Sequence, residues 1–131
     1  MAVLEELGTY LAAQGVGTVG TDIFYGLLPD SPTPATAVLE YPGREGDYIQ
    51  ERAKVAIEYP RIQVRARAAT YAAGRALIEL SYQALDAIIN ATLSGTRYLA
   101  VRPIQAPFLL ERDANLALVF AFNVEAHRCA L

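Results

Sequence analysis

The sequence predicts an α+β fold: a mainly antiparallel sheet of about five strands, with a short N-terminal helix and one long helix packed on one face. Three observations carry this. Residues 61–67 alternate, with Ile62, Val64 and Ala66 on one side and Arg61, Gln63, Arg65 and Arg67 on the other. The stretch that follows repeats Ala73, Leu77, Leu80, Ala84 and Ile88 by three and four, the spacing of a helix face. Residues 116–127 then alternate again, with Leu116, Leu118, Phe120, Phe122 and Val124 on one face. Strand groups separated by a helix put helices on one side of a sheet rather than winding around both.

The elements follow in order. Val3, Leu4, Leu7 and Leu11 mark an amphipathic helix over residues 2–14, with Glu5 and Glu6 suited to its positive end and Gly15 and Gly17 as stops. Residues 22–28 read as a strand that ends at Pro29. The proline-bearing turn DSPTP comes next, and residues 35–41 form a second strand closed by Pro42-Gly43. Residues 43–50 are polar and mixed in charge, which predicts a long mobile loop. Alternation resumes over 52–59, is interrupted by Pro60, and continues to Arg67. Thr70 is the N-cap expected for the long helix. Ile78, Leu85 and Ile89 widen its apolar stripe, and Gly95 is its expected stop. Residues 98–110 are extended, Glu111–Asn115 turns the chain, and residues 116–127 return as an antiparallel partner.

Bulk properties narrow the function. At 131 residues the chain is one domain, 1–131, large enough to bury roughly two-thirds of its unfolded surface. Apolar residues make up 53% and mean hydropathy is +0.22, so some apolar surface is available for partners. The net charge of −3 with no basic cluster disfavours sequence-specific nucleic-acid binding, which draws on phosphate neutralisation. A single cysteine, Cys129, cannot form an internal disulfide. The acidic start does not suit a secretion signal, and no apolar run reaches membrane-spanning length, so a cytoplasmic, non-membrane protein is expected.

The residues that could carry chemistry do not converge. His127 and Cys129 share a strand face, but two ligands do not make a zinc site, and a frayed terminal segment is the expectation there. Glu40, Glu58 and Asp113 are better explained as solvated or ion-paired acids than as a catalytic pair. GVGTVG spells GxGxxG, but a helix precedes it and a strand follows, the reverse of a phosphate loop. No catalytic residue, metal site or cofactor is therefore expected. The row Arg61, Arg65, Arg67 has two readings. It is a solvated face paired to cross-strand acids such as Glu40 or Glu125, or it is a row facing a subunit or partner through bidentate contacts.

Glu58, Pro60, Arg61, Gln63, Val64 and Arg67 in EYPRIQVRAR resemble the strand of phage tail terminators, the tail-to-head joining proteins of long-tailed phages. The helix with Tyr71, Ala72, Ala73 and Leu77 follows at the expected distance, and the ending with Phe122, Asn123 and Val124 is also similar. One departure is Ala114-Asn115, where the family often has glycine; asparagine is expected to supply the left-handed residue of that turn. The resemblance implies a non-enzymatic virion protein at the tail–neck junction, assembled in the host cytoplasm. It implies a hexameric ring that caps the tail tube, stops its polymerisation and docks the head connector, while DNA passes through the lumen unread. Its partners would be other copies, the major tail tube protein and a head-completion or connector protein. Arg61, Arg65 and Arg67 are then the expected subunit interface. Arg44, Glu45, Asp47 and Tyr48, with Arg112 and Asp113, are the expected partner-contact loops. Another neck or head-completion protein is the alternative, and a small ligand-binding domain a more distant one.

Overall fold

The strand read from residues 116–127 lies at the centre of the sheet. The computed structural model describes residues 2–48 and 55–130. Their order is α1 (Val3–Ala13), β1 (Ile23–Tyr25), β2 (Ala35–Tyr48), β3 (Val55–Ala68), α2 (Tyr71–Asp86), β4 (Ile89–Leu93), β5 (Thr96–Pro103), β6 (Phe108–Arg112) and β7 (Leu118–Cys129). The architecture is α+β, but the sheet has seven strands rather than about five among the described residues: six in the order β1-β2-β3-β7-β5-β4, with β6 off this path and paired to β7. It is also mixed, because β1 runs parallel to β2. β3 occupies one edge of β7. On the other edge β5 pairs with Val124–Arg128 and β6 with Leu118–Ala121.

One core fills the space between the helices and the sheet. Ile62, Val64 and Ala66 of β3, and Phe120, Phe122, Val124 and Ala126 of β7, have no exposed surface. Leu7 and Leu11 of α1 and Ile78 and Leu85 of α2 cover them. The Tyr10 hydroxyl donates to the Ala84 carbonyl at 2.8 Å and ties the two helices together. Thr70 caps α2 as expected, its hydroxyl accepting from the Ala73 N–H at 3.2 Å. The buried stripe of α2 is rotated from the one read in sequence. Gly74 and Ser81 face the core, while Ala73 and Leu80 are exposed. A Cβ at Gly74 would overlap the Phe120 ring, so the absent side chain lets the helix approach β7.

Several boundaries differ from the sequence reading. The expected loop 43–50 is strand as far as Tyr48, and its last two residues lie outside the described ones, as do residues 52–54 of the next predicted strand. Pro42-Gly43 does not end β2, because a register shift absorbs it: Tyr41 faces Arg61, and Arg44 faces Tyr59. Gly43 lies against the Tyr59 carbonyl where any Cβ would collide, so the bulge accommodates Pro60 within a continuous β3. Helix α2 stops at Asp86, not near Gly95. Ala87 caps it, Ile88 turns into the core, and Ile89 opens β4 opposite Ala100. Ser94 (φ 49°) and Gly95 (φ 85°) form the two-residue turn to β5, in the type I′ form that suits a hairpin. The extended stretch 98–110 breaks after Pro103 into two strands, and the predicted strand 22–28 shrinks to three residues. In the final turn the left-handed residue is Leu116 (φ 64°), not Asn115, and β7 starts two residues later.

Candidate interaction surfaces

Both helices cover one face of the sheet, so the arginines of β3 lie on the other. Register aligns that outer face in rows. Tyr41, Arg61, Glu125 and Arg102 form one; Ala37, Arg65, Ala121 and Phe108 form another; Ala35, Arg67, Val119 and Glu111 form a third. The three arginines do different things. Arg61 Nε lies 3.3 Å from Glu125 Oε2, as the cross-strand reading expects of Glu125. Glu40 takes no such part, since it pairs with Ile62 and so lies on the opposite side of the strand. Arg67 is only 2% exposed: its Nε donates to Thr33 Oγ1 at 3.1 Å, Nη2 donates to the Pro32 carbonyl, and Asp113 Oδ2 lies at 3.8 Å. Its guanidinium is thus committed to holding the β1–β2 connection and the β6–β7 turn. Arg65 is half-buried. Its Nε donates to Gln63 Oε1 at 2.7 Å, and no carboxylate pairs with it among the described residues. Ala37 and Ala121, which flank it in register, have no exposed surface, as expected where a long arginine stem covers small neighbours; Ala35, Arg67 and Val119 in the next row are buried as well. Beside Arg65, Leu39, Tyr41, Gln63 and Asn123 line a shallow depression, and Asn123 Oδ1 is buried in it without a hydrogen bond.

The expected contact loops are anchored more firmly than loops. The guanidinium of Arg44 stacks 3.5 Å above the Tyr59 ring, and its Nε reaches Glu125 Oε1 at 3.3 Å. The Tyr59 hydroxyl donates to Asp47 Oδ2. His127 meets the Tyr59 ring edge-on and lies 3.0 Å from Glu125 Oε1, so this part of β7 is packed rather than frayed. Burial pushes the Glu125 carboxyl up, but hydrogen bonds from His127, Arg44 and Arg61 outweigh it and hold the group below the usual carboxylate range. Glu45 is exposed on the same strand, and Tyr48 is its last described residue. At the other expected loop, Asp113 Oδ1 accepts from the Asn115 and Ala117 N–H groups, both at 2.9 Å. Arg112 Nη1 donates to the Leu116 carbonyl at 3.2 Å.

One polar cluster was missed in the sequence. Glu6 is fully buried, and its Oε1 accepts from the Tyr98 hydroxyl at 2.8 Å and from Arg128 Nε at 2.9 Å. Arg128 Nη1 also meets Glu58. Burial raises the Glu6 carboxyl, yet hydrogen bonds from Thr96, Tyr98 and Arg128, with the guanidinium charge, bring it below its ordinary value. Burial and the Glu6 carboxylate push the Tyr98 hydroxyl far above the tyrosine range. The signal was present: Glu6 follows Val3 by three residues, on the stripe of Leu7 rather than off it.

No group of three or more histidine, cysteine or acidic residues that could hold a metal ion occurs among the described residues. Nor is any described helix long and apolar enough to cross a membrane.

These elements define an α+β subunit whose polar clusters lock strand to strand and helix to sheet. A profile of the family described as bacteriophage tail terminator protein matches residues 10–128, and the chain belongs to that family. It is accordingly a structural, tail-associated virion protein. Among solved structures, a chain from the virion of a native gene transfer agent particle shares the fold, with a TM-score of 0.56 at 20% identity, over 98% of this chain and 96% of that one. Among curated proteins there is no match.

Proposed function

We propose that copies of this chain close into a hexameric ring at the end of the tail tube, halt tube growth and offer the docking surface for the head connector. The observation that carries this reading is the family match across residues 10–128. The gene transfer agent virion chain of the same fold comes from an assembled phage-like particle, which fits it. Growth stops because the exposed end of the ring lacks the surface that recruits another tube subunit. DNA passes through the lumen without being read; a net charge of −3 gives it little to grip.

Within the ring, Arg65 is the member of the arginine row that meets a neighbouring copy, through the guanidinium hydrogens that Gln63 leaves unused. Arg61 supports it from its pair with Glu125. The strand segment with Arg44, Glu45, Asp47 and Tyr48 is the contact for tube or connector, held out by the Tyr59–Glu125 cluster. Electron microscopy of tails made without this protein is expected to show overlong or ragged tubes; tubes of normal length would refute termination. Arg65→Ala is expected to weaken ring formation while the chain stays folded, with a loss of about 1 kcal/mol from the stem that covers Ala37 and Ala121. Arg67→Ala does not serve for this comparison, because Arg67 is internal.

A further inference from the structure

We infer that the β6–β7 hairpin tip of one copy seats in a depression between α2, β4 and β5 of the next. This rests on the reading that the chain assembles with itself, and it names the contact. Leu116 at the tip is 70% exposed and adopts the left-handed region (φ 64°), which a branched apolar side chain normally avoids. The turn enforces that geometry. The Leu116 N–H donates to the Asp113 carbonyl at 3.0 Å, the Asp113 N–H to the Ala117 carbonyl at 2.9 Å, and the Asp113 carboxylate accepts from the Asn115 and Ala117 N–H groups. The result is an apolar knob on a rigid base.

The depression is lined by Ile89, Leu99, Val101 and Pro103, with Asp86 and Arg102 among them, and has a volume of about 470 Å³. Ile89 is 72% exposed, the largest value among the described large apolar residues. Knob and depression belong to opposite ends of α2. The Tyr71 ring touches Phe120 near the start of β7, whereas Asp86 is the last residue of the helix. A helix of 16 residues separates them by about 24 Å. The knob therefore reaches the depression of a different copy, and a contact between unlike surfaces of one chain propagates around a ring. Charge specifies this occupant. The knob is flanked by Arg112 and Glu111, and the depression carries Asp86 and Arg102. Asp86, Glu111 and Arg102 have no ion-pair partner among the described residues. Arg112 facing Asp86, and Glu111 facing Arg102, satisfy all four at once.

Disulfide trapping tests the contact. In a Cys129→Ser background, Leu116→Cys and Leu99→Cys chains are oxidised singly, mixed, and combined in one polypeptide, both as purified protein and in assembled particles. Each single variant is expected to stay unlinked and the mixture to give dimers. The combined variant is expected to give a ladder of multimers, since each copy contributes one knob and one depression. Arg112→Asp and Asp86→Arg are each expected to weaken self-association about tenfold, and the double variant to recover to within about threefold. Absence of cross-links in copies that sediment as oligomers, or that still set tail length, overturns this contact and leaves the terminator reading standing. Absence of both cross-links and self-association in protein and particles overturns it too, and normal tails made without the protein separately remove the terminator reading.

Discussion

Replacing Arg128 with methionine is expected to lower the melting temperature by roughly 10 °C. The change removes the cation from a fully buried carboxylate and leaves Glu6 with the neutral hydroxyls of Tyr98 and Thr96. An uncompensated buried charge costs about 3 kcal/mol or more, a large share of the stability of a domain this size. The double variant Glu6→Leu, Arg128→Met is expected to recover at least half of the loss, because it removes the stranded charge as well as its partner. Calorimetry of the four proteins of this cycle decides the matter, and a double variant no better than Arg128→Met alone would contradict the account. The pH dependence has a definite sign. The Glu6 carboxyl lies below its ordinary value of 4.5 in the folded chain. Its contribution is therefore complete above that value and is lost as pH falls through the lower, folded one. The parent protein is expected to lose stability more steeply than the double variant over that acid range.

The second large effect concerns Gly74. Leucine at this position gains about 1 kcal/mol in helix propensity but must displace the Phe120 ring, so a net loss of about 2–3 kcal/mol is expected. Phe120→Ala alone empties a fully buried site and is expected to cost about 3–5 kcal/mol. The two changes are coupled, since one fills space that the other vacates. Their combination should be at least about 1 kcal/mol more stable than the sum of the single losses, as urea denaturation can measure. Strict additivity would mean that the helix does not rest on that ring.

The parts legible in the sequence were those whose period is enforced by a single large neighbour. The alternation of burial survives over residues 61–65 and 122–126, where each strand has one face pressed on the core, and is lost where Arg67, Val119 and Ala121 are buried on the other face too. What was misread depended on tertiary partners. Ile88 and Ile89 continue the helical spacing, but the pairing of Ile89 with Ala100 turns the chain into β4. Pro42-Gly43 looks like a stop, yet glycine is what lets β2 pass the Tyr59–Pro60 backbone. The arginine row reads as uniform in one dimension, whereas Arg61 has Glu125 beside it, Arg67 is enclosed by Pro32, Thr33 and Asp113, and Arg65 has Gln63. Asp113 was read as a contact residue, but backbone N–H groups and Arg67 occupy its carboxylate. No spacing rule reveals such partners, because they are distant in sequence.

The position of β7 also sets the order in which the molecule can form. Strands β3, β5 and β6 all hydrogen-bond to it, yet it follows every one of them along the chain. A nascent polypeptide that has not reached Leu118 can pair β1 with β2 and β3, and β4 with β5, but has no strand to join the two groups. Pairings of such long range are slow to form, so the sheet closes late and as a unit. Chains that stop before Leu118 are therefore expected to lack the joined sheet, so the last long strand acts as a check that the chain has been made far enough to fold.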